Sequence, residues 1–281
     1  MDASQSTSLG PALQAKIDAC REHLRCLERV VVAFSGGVDS TLLLALAAET
    51  LGAGNVLAVV GVSPIHPAGE LESARASARQ LGVELVEAKT RELHDPQFTA
   101  NAPNRCYHCK SGLLTALKEL ASQRGAKAVL TGANADDTGD FRPGLEAGRQ
   151  LGAVRPLLDA GFTKADIRAV SRAMGLATWN EPSAACLATR IPYGEPITPE
   201  KLGRIERAET ILHELGFRQC RVRDHGSVAR IEVPAEDIER LMALRDPVHS
   251  ALKALGYTFV AADLRGFRSG SMNEALPPEP R

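Results

Sequence analysis

The sequence predicts an α/β fold, a doubly wound parallel sheet, followed by a second, smaller α+β domain. Three observations predict it. Short continuous apolar runs alternate with amphipathic helical stretches from Pro11 to Gly175, a Ser/Gly loop joins the first apolar run to the next helix, and from Trp179 to Pro199 the alternation breaks into loops rich in Pro, Ala and Gly.

Apolar residues recur at helical spacing from Pro11 to Leu27. They stop before Val30-Val31-Val32-Ala33-Phe34, an uninterrupted run of the kind buried on both faces of a parallel sheet. After the loop Ser35 to Ser40, the pattern predicts a helix over Thr41 to Leu51 ended by Gly52, a strand over Asn55 to Val62, a helix over Glu70 to Leu81 and a strand over Val83 to Ala88. A helix from about Cys109 to Arg124, stopped by Gly125, precedes the strand Ala128 to Thr131 and the polar loop Gly132-Ala133-Asn134-Ala135-Asp136-Asp137, and Thr163 to Met174 reads as a capped helix ended by Gly175. Strands alternating with helices imply parallel pairing, and ligands bind beyond the carboxyl ends of such strands. The loops after Phe34, Val62 and Thr131 are therefore expected to converge on one cleft.

The expected first domain is 11–178 and the second 179–275. The second contains a helix over Thr198 to Leu215, strands over Gln219 to Val222 and Val228 to Val233, helices over Ala235 to Leu244 and Pro247 to Leu255, and a strand over Thr258 to Leu264. The tail 276–281, with three prolines, is expected to be disordered.

Hydrophobic residues make up 44% of the 281-residue chain and charged residues 24%, which excludes disordered and fibrous classes. A formal net charge of −1 offers no broad attraction to a polyanion, so no nucleic-acid partner is expected. The polar, Ser-rich start resembles no secretory signal and no apolar run reaches membrane-spanning length, so a cytoplasmic protein without membrane contact is expected. In that reducing compartment six cysteines point to metal, cluster or redox chemistry rather than disulfides. Cys20, Cys26 and Cys220 lie in helix- or strand-like runs and read as small hydrophobes.

A strand that ends in Ser35-Gly36-Gly37-Val38-Asp39-Ser40-Thr41 and opens a helix turns successive backbone N–H groups and the helix N-terminus toward an anion. Gly36 and Gly37 let the backbone approach closely, Ser35, Ser40 and Thr41 add hydroxyls, and Asp39 is expected to hold Mg²⁺ or the shape of the loop. The lysine of the phosphate loop that cleaves between β and γ phosphates is absent. These residues resemble the PP-loop of the ATP pyrophosphatase superfamily, with its adenine nucleotide alpha hydrolase-like fold, whose members split ATP into AMP and pyrophosphate. Such chemistry activates an acceptor oxygen as an adenylate with AMP as leaving group.

Asn104-Arg105-Cys106-Tyr107-His108-Cys109-Lys110 carries a C-x-x-C at a helix start, where the dipole and two cations favour thiolate. Cys186, in Pro182-Ser183-Ala184-Ala185-Cys186-Leu187-Ala188-Thr189-Arg190, is the other cysteine in a comparable polar loop. Three ligands suit a [4Fe–4S] cluster with one open iron. Together with GANADDTGDFRPG from Gly132 to Gly144 and DLRGFRSGSMNE from Asp263, these motifs resemble the LarE family over nearly the whole chain.

The resemblance implies an ATP-dependent sulfur transferase of nickel-pincer nucleotide biosynthesis, which serves maturation of lactate racemase. The implied acceptor is a pyridinium dicarboxylate mononucleotide, adenylated on a carboxylate and converted to a thiocarboxylate. Sulfur is implied to come from a cluster-bound sulfide held through Cys106, Cys109 and Cys186, or sacrificially from Cys186, which would be left as dehydroalanine. The resemblance further places Gly132, Asn134, Asp136, Asp137, Asp140 and Arg142 near ATP and Mg²⁺ and Arg190 close to the sulfur cysteine, while Lys110, one position past Cys109, would by its own charge neutralise a phosphate or carboxylate. Glu209, Arg221 and Arg223 are placed at the acceptor's phosphate, with a homo-oligomer, a hexamer, as the assembly. Alternation along a strand puts both guanidinium groups on one face, where they can grip a phosphate bidentately. Arg268 and Ser271 read as fixing loop geometry. Competing readings are a cluster-dependent tRNA thiolase, an ammonia-transferring ligase of the same superfamily, and a nucleotide sensor without turnover.

Overall fold

A computed structural model describes residues 9–139, 143–182, 185–268 and 270–276. Asp140, Arg142, Ser183 and the tail beyond Leu276 lie outside the described residues. In chain order the helices and strands are α1 (Pro11–Arg25), β1 (Val30–Ala33), α2 (Val38–Leu51), β2 (Val56–Val62), α3 (Ala68–Gln80), β3 (Glu84–Lys89), α4 (Pro96–Thr99), α5 (Arg105–Gln123), β4 (Ala128–Thr131), α6 (Pro143–Gln150), α7 (Pro156–Asp159), α8 (Lys164–Ala173), α9 (Pro199–Glu214), β5 (Arg221–His225), β6 (Val228–Glu232), α10 (Ile238–Ala243), α11 (Arg245–Ala254) and β7 (Phe259–Ala262).

Two compact units result: 1–63, 68–91 and 106–184 form the first, and 64–67, 92–105 and 185–281 the second. In the first, the sheet order is β3-β2-β1-β4 and every pair is parallel. Side-chain alternation along β1 assigns its two faces: Val30 and Val32 join the core built with α1, α2, α3 and α8, while Val31 joins Leu57, Val59 and the α5 residues Leu114, Leu117 and Ala121. Helices thus cover both faces, which is why these strands read as continuous apolar runs. The strand order reverses between β1 and β4, and the pairing Ala33↔Thr131 delivers the loops after these two strands side by side.

Two boundaries differ from the sequence pattern in ways that matter. α2 begins at Val38 rather than Thr41, because Gly37 takes extended backbone (φ −76, ψ 166) as N-cap, so Val38 to Ser40 form the first turn. α5 begins at Arg105 rather than Cys109, so Cys106 and Cys109 stand three residues apart on one face of its first turn. The short helices α4, α6 and α7, each opening on a proline, were not expected from periodicity.

The second unit has the sheet β5-β6-β7, antiparallel in its first pair and parallel in its second. Val222, Ala229 and Ile231 face a core formed with Ala208 and Leu212 of α9 and Leu241, Val248 and Leu252 of α10 and α11. The alternate positions Arg221, Arg223, Arg230 and Glu232 stand on the opposite face, with Arg221 opposite Glu232 and Arg223 opposite Arg230.

Candidate active site

The phosphate loop is held by its own side chains. Ser35 and Ser40 hydroxyls lie 3.0 Å apart, the Ser40 hydroxyl donates to the Gly37 carbonyl (3.1 Å), and Ser35 Oγ accepts the Gly37 N–H at 3.4 Å. These two hydroxyls therefore brace the loop. No side chain caps α2, so its N-terminal N–H groups remain available to an anion. Thr41 is buried and its hydroxyl has no partner among the described residues.

The glycines divide by role. Gly36 has φ +75, and a Cβ there would meet the Ala74 backbone nitrogen at 2.9 Å, so this glycine seats the loop against α3. Gly37 would meet only Ser35 Oγ, at 3.5 Å. A Cβ on Gly132 would lie 3.0 Å from the Ser40 nitrogen, so Gly132 lets β4's loop pack on the start of α2.

Asp39 has a cation of its own that sequence spacing did not reveal. Lys164 Nζ lies 2.5 Å from Asp39 Oδ2, and Asn134 Nδ2 approaches Asp39 Oδ1 at 3.5 Å. Lys164 is the first residue of α8, fixed there by a capping box between Thr163 and Asp166. Asp136 accepts the Lys164 backbone N–H (2.8 Å), Asp137 accepts the Asn134 N–H (3.0 Å), and Asn134 Oδ1 accepts the Asp136 N–H (3.0 Å). The two aspartates thus shape the turn and the helix start. The visible signal for Lys164 was the capped start of α8; its distance in sequence from the loop hid the pairing.

Cys106, Cys109 and Lys110 belong to the first unit and Cys186 to the second. Burial pulls the Lys110 pKa below the ordinary lysine value, with Cys109 opposing. Burial pushes the Cys20 and Cys220 thiols up to about 12, which makes them unreactive, whereas Cys106, Cys109 and Cys186 are half-buried. As soft thiol donors these three fit a cluster in chemistry; among the described residues, no three His, Cys, Asp or Glu side chains are gathered to hold a metal ion.

In the second unit Arg190 is 2% exposed and saturated. Its guanidinium forks onto Glu209 through Nε and Nη2, both at 2.9 Å, while Nη1 donates to the carbonyls of Ala185 (2.6 Å) and Cys186 (3.0 Å). It therefore clamps the turn after Cys186. Glu209 also accepts the Val222 N–H at 3.0 Å, so its carboxylate is spent within the protein. Arg223 donates to Glu232 (2.6 Å), Ser271 (3.0 Å) and the Thr189 carbonyl (3.1 Å). Ser271 donates in turn to Glu232 (3.0 Å). Arg221 stacks on Phe267 at 5.3 Å, and burial, then Arg190, pulls its pKa down to about 10. Arg221 and Arg223 are thus buried, and Nε of both Arg223 and the half-buried Arg230 has no partner among the described residues.

A parallel sheet whose first strand opens through Ser-Gly-Gly-Val-Asp-Ser into an uncapped helix defines an ATP-using enzyme of the PP-loop class. A family profile described as asparagine synthase matches residues 14–138, the span from α1 through the phosphate loop to the loop after β4. The pyridinium-3,5-bisthiocarboxylic acid mononucleotide synthase of Lactiplantibacillus plantarum is 39% identical over 90% of this chain and 92% of its own. An uncharacterized Synechocystis protein is 40% identical over 94% of this chain and 99% of its own. The chain belongs to the LarE family of ATP-dependent sulfur transferases. No helix among the described residues is long and apolar enough to cross a membrane.

Proposed function

We propose that the enzyme adenylates a carboxylate of a pyridinium dicarboxylate mononucleotide and replaces its oxygen by sulfur, in nickel-pincer nucleotide biosynthesis serving lactate racemase maturation. The observation that carries this reading is the match over nine-tenths of the chain to the synthase bearing that product's name, on a fold with an uncapped helix after the phosphate loop. In the first step the carboxylate oxygen attacks the α-phosphorus of ATP, the α–β bridging bond breaks, and pyrophosphate leaves. The N–H groups of the uncapped first turn of α2 from Val38, with Lys164, receive its charge, and Mg²⁺ would accompany the phosphates. Asp39 is the candidate for Mg²⁺, and its ion pair with Lys164 makes steering that lysine its first task.

In the second step a sulfur nucleophile attacks the acyl carbon, AMP departs, and a thiocarboxylate remains. With sulfide as nucleophile one proton is released. With Cys186 as donor, a thioester forms and its Cβ–S bond then breaks by elimination, taking the Cα proton and leaving dehydroalanine. A [4Fe–4S] cluster on Cys106, Cys109 and Cys186 would supply sulfide through its open iron. Lys110, kept poorly solvated, and Arg190, holding the Cys186 turn, serve this half. Arg221, with Glu209 close by, and Arg223, braced by Glu232, are read as the grip on the acceptor phosphate. A cytoplasmic homo-oligomer, a hexamer, completes the proposal.

The test supplies ATP, Mg²⁺ and pyridinium-3,5-dicarboxylic acid mononucleotide to anaerobically prepared protein and measures pyrophosphate and thiocarboxylate together. Iron and sulfide analysis with mass spectrometry of the Cys186 peptide separates the sulfur sources. Pyrophosphate release with no thiocarboxylate, with or without added sulfide, would overturn the reading.

A further inference from the structure

The second unit contains a polar latch that no motif announced. Asn101 is fully buried and left-handed, with φ 57. Its Nδ2 donates to the carbonyls of Ile191 (3.3 Å), Pro192 (2.7 Å) and Glu195 (2.9 Å). Its own backbone carbonyl accepts the Gly194 N–H at 3.1 Å, and Thr99 accepts the Ile197 N–H at 2.9 Å. On its other side Asn101 Oδ1 accepts from Arg105 Nη1 at 2.6 Å. Arg105 is 2% exposed, and its guanidinium lies 4.5 Å above the Tyr193 ring, whose hydroxyl donates to Asn273 at 3.0 Å.

What the latch joins is informative. The run Ile191 to Ile197 is the exit of the turn that holds Cys186 and Arg190, and that turn's other end is tied by the Leu187 N–H to the Ile65 carbonyl at 2.7 Å. Arg105 is the first residue of α5, and Cys106 follows it directly in the chain. One amide therefore fixes Arg105 and the exit of the Cys186 turn to each other within the second unit. Only a residue that tolerates left-handed backbone and offers both donor and acceptor can do so, which selects asparagine. The latch residues Asn101, Arg105 and Ile191 to Ile197 all belong to the second unit.

Resting on the sulfur-transfer reading above, we propose that Asn101 is a positioning residue for the sulfur half of the reaction, anchoring on Arg105 the backbone turn that carries Cys186. ATP activation is independent of it. The experiment uses full-length Asn101→Asp, which keeps the acceptor for Arg105 but loses the two N–H donors that reach the three carbonyls, and Asn101→Gly, which keeps the left-handed backbone and loses the side chain. Two readouts are compared with wild type: thiocarboxylate formed per pyrophosphate released, and the iodoacetamide alkylation rate of Cys186, followed by mass spectrometry on protein without substrates. The expected result is a transfer ratio lowered at least tenfold with acceptor-dependent pyrophosphate release within about twofold, and Cys186 alkylation changed severalfold in the folded variant. Loss of both halves in proportion, or an unchanged ratio and alkylation rate, would overturn the proposal. If neither variant folds, Arg105→Lys is measured in the same way, and an unchanged ratio there overturns it equally. Failure of the function itself shows separately, as wild type that releases pyrophosphate but forms no thiocarboxylate.

Discussion

Gly36 and Gly37 are adjacent, yet the structure predicts opposite outcomes for the same substitution. At Gly36, with φ +75, an alanine would carry the left-handed penalty of ~1–2 kcal/mol. Its Cβ would also stand 2.9 Å from the backbone nitrogen and 3.0 Å from the Cα of Ala74. No rotamer change relieves a clash with helix backbone, so loop or helix must shift, an overpacking cost of ~1–3 kcal/mol. Gly36→Ala is thus expected to lose ~2–5 kcal/mol, or roughly 4–20 °C of melting temperature at the ~2–4 °C per kcal/mol of a domain this size. Gly37 has φ −76 and would meet a single hydroxyl at 3.5 Å, so Gly37→Ala should melt within ~0.5 kcal/mol of wild type. Its defect should appear instead as a raised KM for ATP, because the added methyl stands where the loop's N–H groups meet the phosphates. Calorimetry and pyrophosphate release on both variants decide the matter. A Gly36→Ala protein that melts with wild type, or a Gly37→Ala protein that unfolds early, would refute the division into a seating glycine and a ligand-facing one.

Lys164→Met should leave the melting temperature nearly unchanged, since a half-exposed ion pair is worth ~0–1 kcal/mol. Acceptor-dependent pyrophosphate release should fall on the order of tenfold or more, because a cation beside the departing charge is lost; calorimetry checks the first outcome and steady-state pyrophosphate assays the second. Arg190→Met should cost ~3–5 kcal/mol in urea unfolding, because it removes the ion-pair partner of the buried Glu209 carboxylate and the Arg190 hydrogen bond to the Ala185 carbonyl. At His66, burial lowers the pKa below 6.5 against an opposing Glu92, and its Nδ1 has no partner among the described residues. The folded-state value is depressed, so the unfolded chain takes up the proton first. Stability is full above about pH 6.5 and is lost as the pH falls through the lower folded value. His66→Asn should flatten that loss in melts from pH 7.5 to 5, and an unchanged slope would assign it elsewhere.

Much of the first unit was legible because continuous valine runs and helix stops report burial directly: β1, β2 and β4 fall where the apolar pattern ends. The start of α2 was misjudged by three residues because the phosphate loop's Val38 to Ser40 already lie in the helix, and Gly37, not a side-chain cap, opens it. The pairing of Asp39 with Lys164 was illegible, since it depends on β4 and α8 returning to the first strand across more than a hundred residues. Asn101 was invisible for the same reason, its partners being 90 to 94 residues away. In the second unit, alternating arginines correctly gave one sheet face, but charge on a strand reads as solvated. Only the structure shows Arg223 buried with Glu232 and Ser271, and Arg221 buried against Phe267.

That burial changes how the acceptor grip should be tested. Arg221→Glu would put a carboxylate at a site 8% exposed, beside the Arg190–Glu209 pair, and loss of binding would be confounded with loss of the fold. Arg221→Lys keeps the charge while removing the planar fork. The pKa of Arg221 is already pulled down to about 10 by burial and Arg190. A lysine begins some two units lower than arginine, so the same surroundings bring it toward neutrality within an accessible range. If Arg221 holds the acceptor's phosphate, Arg221→Lys should raise the acceptor KM roughly tenfold, the scale of one charge-assisted hydrogen bond. The defect should deepen from pH 7 to 9 as the lysine loses its proton, while wild type stays flat. A wild-type KM with no pH dependence would remove Arg221 from the acceptor site and leave its guanidinium a structural partner of Phe267 and the Cys220 carbonyl.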